Sequence, residues 1–272
     1  MMLGNSGLKC IAPLKGACMI LVMDVGNTNI TLGLYEDGHL RHSWRLSSRV
    51  ARTEDEIWVF MNMLGRGANI DMSKIHGIAL GSVVPSVTVS LLRLISKHLQ
   101  VKVVEVSSDI ELGISIKNVD PHTVGADRIC NAVAGFEQYG GPLVIVDFGT
   151  ATTFDIVSDN GDYLGGIISP GLESTAKSLH HLAAKLPMVD LKFPESLIGR
   201  STESSMQSGL MFGGAEMVEG MLRRLRGEMG ENMRVIATGG LAPILLPELP
   251  SVESVESTLT LKGLYNIYLK NE

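Results

Sequence analysis

Leu143-Val144-Ile145-Val146-Asp147-Phe148-Gly149-Thr150-Ala151-Thr152-Thr153 is the stretch from which the fold can be read. Four apolar residues follow the Gly141-Pro142 break and end at a single carboxylate, the pattern of a short buried strand that delivers an acid to its tip. Gly149 lets the backbone come close to a ligand, and the threonines after it offer hydroxyl and backbone N–H donors of the kind that hold phosphate. A strand ending in Asp-x-Gly is commonly a plain turn. Repetition gives this one its weight.

Leu21-Val22-Met23-Asp24-Val25-Gly26-Asn27-Thr28 is a second apolar run that ends in Asp-x-Gly and a small hydroxyl residue. Asp37-Gly38 follows Asp24 at the offset at which Asn160-Gly161 follows Asp147. Each half therefore reads strand, phosphate-type turn, strand, tight hairpin turn, strand. The duplication predicts two similar halves facing each other across a cleft, with a polyanion and its cation between the turns.

At 272 residues and 45% hydrophobic, the chain is long enough for two domains of ordinary size. A formal net charge of −6 with scattered Lys and Arg argues against a nucleic-acid surface. The densest basic cluster, Arg223-Arg224-Leu225-Arg226, falls late in an expected helix, where cations complement the dipole. Cys10, Cys18 and Cys130 are too few for a disulfide framework or a zinc site, so a reducing, cytoplasmic setting is expected. No apolar run approaches the length of a membrane span. Residues 1–18 read as a disordered extension, since Met19-Ile20-Leu21 opens the first strand cleanly.

Taken in order, the pattern predicts strands at 19–23, 30–35 and 39–46 and a helix at 53–64, capped by Thr53, with Ile57, Phe60, Met61 and Leu64 on its inner face. A strand at 74–80, a helix at 87–99 with Leu91, Leu94 and Ile95 inward, and a strand at 101–106 follow. Residues 107–123 lack periodicity and read as a loop suited to touching a substrate. Val124-Gly125-Ala126-Asp127-Arg128 opens a helix, and its place between the two Asp turns marks Asp127 and Arg128 as functional candidates. Strands at 143–147, 152–157 and 163–168, then a helix at 172–186, make the second copy. Gly199-Arg200-Ser201-Thr202 precedes a long helix whose expected apolar stripe is Met206, Leu210, Met217, Met221 and Leu225. A strand at 234–237 runs into Thr238-Gly239-Gly240, a glycine turn suited to a flat base or ribose, and a helix at 259–269 closes the chain. The expected division is an N-terminal unit at 19–123 and a C-terminal unit at 124–272.

Several common engines are absent: the chain has no P-loop, no complete Gly-x-Gly-x-x-Gly, no His-Glu-x-x-His and no Gly-x-Ser-x-Gly. A phosphate site must then be built from the two Asp/Gly/Thr turns, leaving Asp24, Asp127 and Asp147 for the separate tasks of cation binding and proton removal.

Asp24-Val25-Gly26-Asn27-Thr28, Val124-Gly125-Ala126-Asp127-Arg128, Asp147-Phe148-Gly149-Thr150-Ala151-Thr152-Thr153 and Thr238-Gly239-Gly240, in this order, resemble type III pantothenate kinase. The resemblance implies an α/β chain with the duplicated actin-like, sugar-kinase (ribonuclease H-like) fold, two mixed-sheet domains around a central cleft. It also implies a homodimer and ATP-dependent phosphorylation of pantothenate, the first step towards coenzyme A. Carried over, Asp24, Val25, Gly26, Asn27, Thr28, Asn29, Ile30 and Thr31 would cradle the ATP phosphates, with Thr150 contacting them from the opposite turn and Gly239 and Gly240 near the nucleoside. Asp127 would be the general base for the pantothenate hydroxyl. Gly125, Ala126, Asp127 and Arg128 would line the substrate, Arg128 facing its carboxylate, and Thr202 would touch it too. Asp147 would hold potassium or ammonium, and magnesium would accompany ATP. Asn118 stands where members of the family often carry an aromatic residue. Two other readings of the same fold are a catalytically silent ATP-binding regulator and a sugar kinase. Asp127 beside Arg128 favours the enzyme over the first, and the arginine disfavours a neutral sugar.

Overall fold

The computed structural model describes residues 18–272, so the extension expected over 1–18 lies, apart from Cys18, outside the described residues. The elements are β1 (Met19–Val25), β2 (Asn29–Glu36), β3 (His39–Ser47), α1 (Glu54–Gly67), β4 (Gly77–Ser82), α2 (Pro85–His98), β5 (Lys102–Glu105), β6 (Ser115–Ile116) and α3 (Ala126–Tyr139). They continue with β7 (Leu143–Phe148), β8 (Ala151–Val157), β9 (Asp162–Pro170), α4 (Leu172–Leu182), α5 (Thr202–Met229), β10 (Arg234–Thr238), α6 (Ala242–Leu245), β11 (Ser254–Val255) and α7 (Leu259–Lys270).

The repeat seen in the sequence is a repeat of topology. One sheet runs β3-β2-β1-β4-β5, and the other contains the same order as β9-β8-β7-β10-β11, with β6 added beyond β9. In both, the first three strands form an antiparallel meander and the last two lie parallel to the first. The tight turn at Asp37 and Gly38 has positive φ at both residues (49° and 83°), the twist that joins two antiparallel strands in register. Asp24 on β1 stands opposite Thr31 on β2, and Asp147 on β7 stands opposite Thr153 on β8, so each acid occupies the same place in an equivalent row.

Alternation along β1 divides its side chains between two cores. Leu21, Met23 and Val25 pack with α1 and α2, while Ile20 and Val22 point into a cluster built with α3 and α7. Asp24 continues the second set, so it faces the interior side of the sheet at the point where the apolar cover ends. Helix α1 is capped as expected by Thr53, whose hydroxyl accepts from Glu56 N while the Glu56 carboxylate accepts from Thr53 N. Its inward residues are Ile57, Met61 and Gly65. Phe60, expected on that face, is exposed and lies under the Arg52 guanidinium.

Three further expectations are corrected. Strand β4 begins at Gly77 rather than 74, because Asp71 caps a single 3-10 turn over Met72–Lys74. Helix α4 ends at Leu182, four residues earlier than its pattern, and residues 183–201 form irregular chain. Helix α5 turns a different stripe inward: Met211, Ala215, Val218 and Leu222 are buried with Met206, Leu210 and Leu225, whereas Met217 and Met221 are only partly covered. The helix serves two clusters in succession. Met206 and Leu210 meet Ala176 and Val189, and the residues from Met211 onward meet the second sheet.

Two helices tie the sheets together. Helix α3, which precedes β7, packs against β7 and β8 as well as β4, and α7, which follows β11, packs on β1, β2 and β4. The two helices also lie against each other, so closely that a Cβ at Gly263 would fall 2.0 Å from the Cys130 carbonyl oxygen. This crossing carries the first turn of α3 to the gap between the sheets.

Candidate active site

Three carboxylates meet at that gap. Asp24 reaches it from the end of β1, Asp147 from the end of β7, and Asp127 from the first turn of α3. The N-terminus of α3 fits there because β4 carries glycine at 81, beside Asp24: a Cβ at Gly81 would lie 3.5 Å from the Ala126 methyl. Gly125 has no side chain for a related reason, since its Cβ would sit 2.5 Å from Asp127 Oδ1, which accepts from the Arg128 backbone N–H at 2.9 Å.

The electrostatics record the proximity. Asp24 is pushed up to about 7, first by burial and then by Asp127 and Asp147, with Arg45 pulling the other way. Asp147 is pushed up to about 6 by burial, against a hydrogen bond from Asn131 and with Asp127 adding to the rise. Partly buried acids held up by desolvation and by neighbouring carboxylates form a site that favours entry of positive charge.

The two glycine turns face each other over this cluster. Gly26 N donates to Asn29 O at 2.9 Å, and Gly149 N donates to Ala151 O at 3.0 Å, so each glycine closes its own bend and the first bend is one residue longer than the second. They touch where Thr28 Oγ1 and Thr150 Oγ1 lie 3.1 Å apart. Thr150 O also accepts from Ser174 Oγ at 2.7 Å and from Gly171 N at 3.2 Å, which fixes its turn to the start of α4. Asn27, Thr28, Asn29 and Thr31 present side chains or open backbone here, whereas Val25 and Ile30 are buried in the core and offer the cleft only their backbone.

A third turn closes over Asp147. Gly239 has φ of 92°, and a Cβ there would lie 2.5 Å from Asp147 Oδ1 and 2.6 Å from Phe148 N. Only glycine brings this backbone against the carboxylate. Gly240 beside it is exposed.

Arg128 is held by partners within the chain. Its Nε donates to Asp155 Oδ1 at 2.6 Å and its Nη2 to Phe154 O at 3.1 Å, while the Tyr163 hydroxyl donates to the same Asp155 oxygen at 2.9 Å. Gly166 leaves room for the guanidinium, since a Cβ there would fall 2.0 Å from Nη2. The charge of Arg128 is thus balanced inside the protein. Thr202 is exposed as the first residue of α5, after the Ser201 cap, and no hydrogen bond among the described residues links it to the carboxylates.

A family model described as type III pantothenate kinase matches residues 20–224. The chain belongs to that family. The match runs from β1 through most of α5 and takes in every site residue above except those of the Gly239 turn. Among solved structures, the chain is similar to a Campylobacter jejuni protein described as a Baf family transcriptional activator (21% identity, 92% of this chain and 98% of the other, TM-score 0.57). It is also similar to the ethanolamine utilization protein EutJ of Carboxydothermus hydrogenoformans (13%, 93% and 91%, 0.55) and to a ROK family glucokinase of Streptomyces griseus (12%, 92% and 98%, 0.51). At these identities the likeness is one of fold, and the fold of this family member is the duplicated actin-like, sugar-kinase one.

Two functional neighbours escaped the sequence reading. Asn131, fully buried on α3, donates to Asp147 Oδ2 at 3.1 Å and accepts from Thr260 Oγ1 at 2.8 Å, so the orientation of the second acid is set from α7. Asp155, fully buried in β8, holds Arg128. Its signal was present: a carboxylate within Thr152-Thr153-Phe154-Asp155-Ile156-Val157 cannot be buried without a partner.

Among the described residues no three His, Cys, Asp or Glu side chains are grouped to hold one metal ion. A cation at Asp147 would therefore have one carboxylate and surrounding backbone for ligands. That donor set suits a weakly charged hard ion better than a site built on several carboxylates.

Proposed function

We propose that this member of the family transfers the γ-phosphoryl group of ATP to the primary hydroxyl of pantothenate, giving 4'-phosphopantothenate and ADP. The observation that carries the reading is the gathering of Asp24, Asp127 and Asp147 beside two glycine turns that meet at Thr28 and Thr150. In-line transfer needs little covalent help from a protein. It needs the phosphates held, the charge offset and the hydroxyl proton removed.

The turns at 24–31 and at Thr150 hold the phosphates through backbone N–H groups and hydroxyls. Asp127, at the start of α3 between the two other acids, accepts the proton of the primary hydroxyl as its oxygen attacks the γ-phosphorus. The bond from that phosphorus to the β,γ-bridging oxygen breaks, and its electron pair leaves on ADP. Gly239 admits the nucleoside end, and Gly125, Ala126 and Arg128 flank the acceptor. Arg128 meets the acceptor carboxylate with Nη1, since Asp155 and Phe154 occupy its other nitrogens. Potassium or ammonium at Asp147, and magnesium with ATP, would offset the charge of the transferring group.

The acceptor side is completed by a second copy of the chain. Leu182, Leu197 and Ile198, between 67% and 88% exposed, are apolar side chains left uncovered on the segment leading to Thr202, which supports this reading. ADP release measured with and without pantothenate, in potassium and in sodium, tests the reading. Pantothenate-dependent release stimulated by potassium is the expected result; ATP binding that pantothenate leaves unchanged would favour the silent regulator.

A further inference from the structure

The three acids leave a problem of charge. A triphosphate brought to Asp24, Asp127 and Asp147 adds negative charge to a site that is already crowded with it, in a chain of net charge −6 that lacks a P-loop lysine. The first sheet carries an answer at its outer edge.

Strand register sets Gly81, Asp24, Thr31 and Arg45 side by side on β4, β1, β2 and β3. Residues directly opposite each other in a sheet share a face, so Arg45 stands on the face of Asp24, two strands away. It is near enough to act on that carboxylate in the direction opposite to burial. Four residues on, past the end of β3, Arg49 Nη2 donates to Thr28 Oγ1 at 3.4 Å, the same oxygen that meets Thr150. Between them, Ser48 N donates to Thr28 O at 3.0 Å, and Ser48 Oγ is buried without a partner.

Both arginines are exposed, and among the described residues neither forms an ion pair with a carboxylate. The contrast with Arg41 on the same strand is informative, since Arg41 is paired with Glu36 at 3.1 Å. The second copy gives a control within the molecule. In the equivalent row Thr238, Asp147, Thr153 and Ile168 stand together, so the position of Arg45 is taken by an isoleucine that is 65% exposed. The basic pair belongs to one wall of the cleft only.

We infer that Arg45 and Arg49 are nucleotide-binding residues that contact the β- and γ-phosphates from the β3 edge, making the first half the phosphate wall of the site. The inference rests on the reading that the two turns hold a nucleoside triphosphate. It adds two charged donors to cradles otherwise made of backbone and hydroxyl groups.

Equilibrium binding of ADP, ATP and AMP to the full chain, without pantothenate, tests it. Arg45→Gln and Arg49→Gln are expected to weaken ATP and ADP about tenfold each, the scale of one lost charge-assisted hydrogen bond, while AMP binding is unchanged. Arg41→Gln removes the same charge from the same strand and should alter none of the three. Arg45→Lys should recover part of the loss. Circular dichroism melts of the exposed-site variants, matched to the parent, would confirm that the loss is local. Unchanged ADP and ATP affinity in both Gln variants, with the parent binding normally, overturns the inference and leaves the nucleotide reading standing. Equal weakening by Arg41→Gln also overturns it, in favour of a general field. A parent chain that binds none of the three nucleotides overturns the reading itself and the inference with it.

Discussion

Thr28 and Thr150, 122 residues apart in the chain, meet through their side-chain oxygens at 3.1 Å. The contact joins the two glycine bends that follow Asp24 and Asp147. Thr28→Val and Thr150→Val are each expected to raise the KM for ATP by roughly tenfold while the KM for pantothenate moves little. Steady-state kinetics with each substrate varied in turn checks this; a rise confined to pantothenate would place the phosphates elsewhere.

Asp127→Asn should lower kcat by about a thousandfold or more, with ADP affinity and the melting temperature close to those of the parent. The side chain keeps its shape and its bond from the Arg128 N–H, so only proton acceptance is lost. Retention of a tenth of the parental rate would remove Asp127 from the role of base.

Asp24 and Asp147 rise from an ordinary value of 3.8 to about 7 and about 6 in the folded chain. Between those values and 3.8 the folded protein keeps protons that the unfolded chain has released, so stability falls as pH rises through this window. The unliganded protein should therefore lose melting temperature from about pH 4.5 to about pH 7.5, and Asp24→Asn should gain on it over that range. Parallel melting curves for the two proteins would show Asp24 ionised throughout.

Asp155→Asn leaves Arg128 charged and nearly enclosed without its counter-ion. A loss of about 3 kcal/mol in urea unfolding is expected, together with a higher KM for pantothenate, because the guanidinium is no longer held beside Gly166. An unchanged urea midpoint would mean that Phe154 O and the Tyr163 ring hold Arg128 unaided.

Gly239→Ala meets two obstacles at once, a φ of 92° and a Cβ 2.5 Å from Asp147 Oδ1. We expect a cost of about 2 kcal/mol or more and loss of potassium activation, read by thermal melts and by a potassium titration of ADP release. Activation at the parental concentration would separate the turn from the cation site.

The fold was legible where local chemistry was strict. The Asp-x-Gly ends of β1 and β7 and the equal offsets to Gly38 and Gly161 gave the duplication, and Thr53 with Glu56 gave the start of α1. Legibility failed where tertiary partners decide. The two-residue strands β6 and β11 have no periodicity of their own and exist because β9 and β10 offer them an edge. The stripe of α5 was misread because its two ends serve different cores. Among the site residues, the three acids and the glycine turns stood out by repetition and position. Asp155 was not singled out as the partner of Arg128 because it lies 27 residues later on a strand that only the folded sheet brings back to it.

Because α3 packs on strands of both sheets and α7 rests on the first, neither sheet with its helices is a separable module. A fragment ending before Ala126 would lack α3, and a chain trimmed ahead of Leu259 would uncover Ile20, Val22 and Ala79 and remove Thr260 from Asn131. Helix α7 is thus a strap between the two lobes, and removing it disturbs a carboxylate more than a hundred positions upstream.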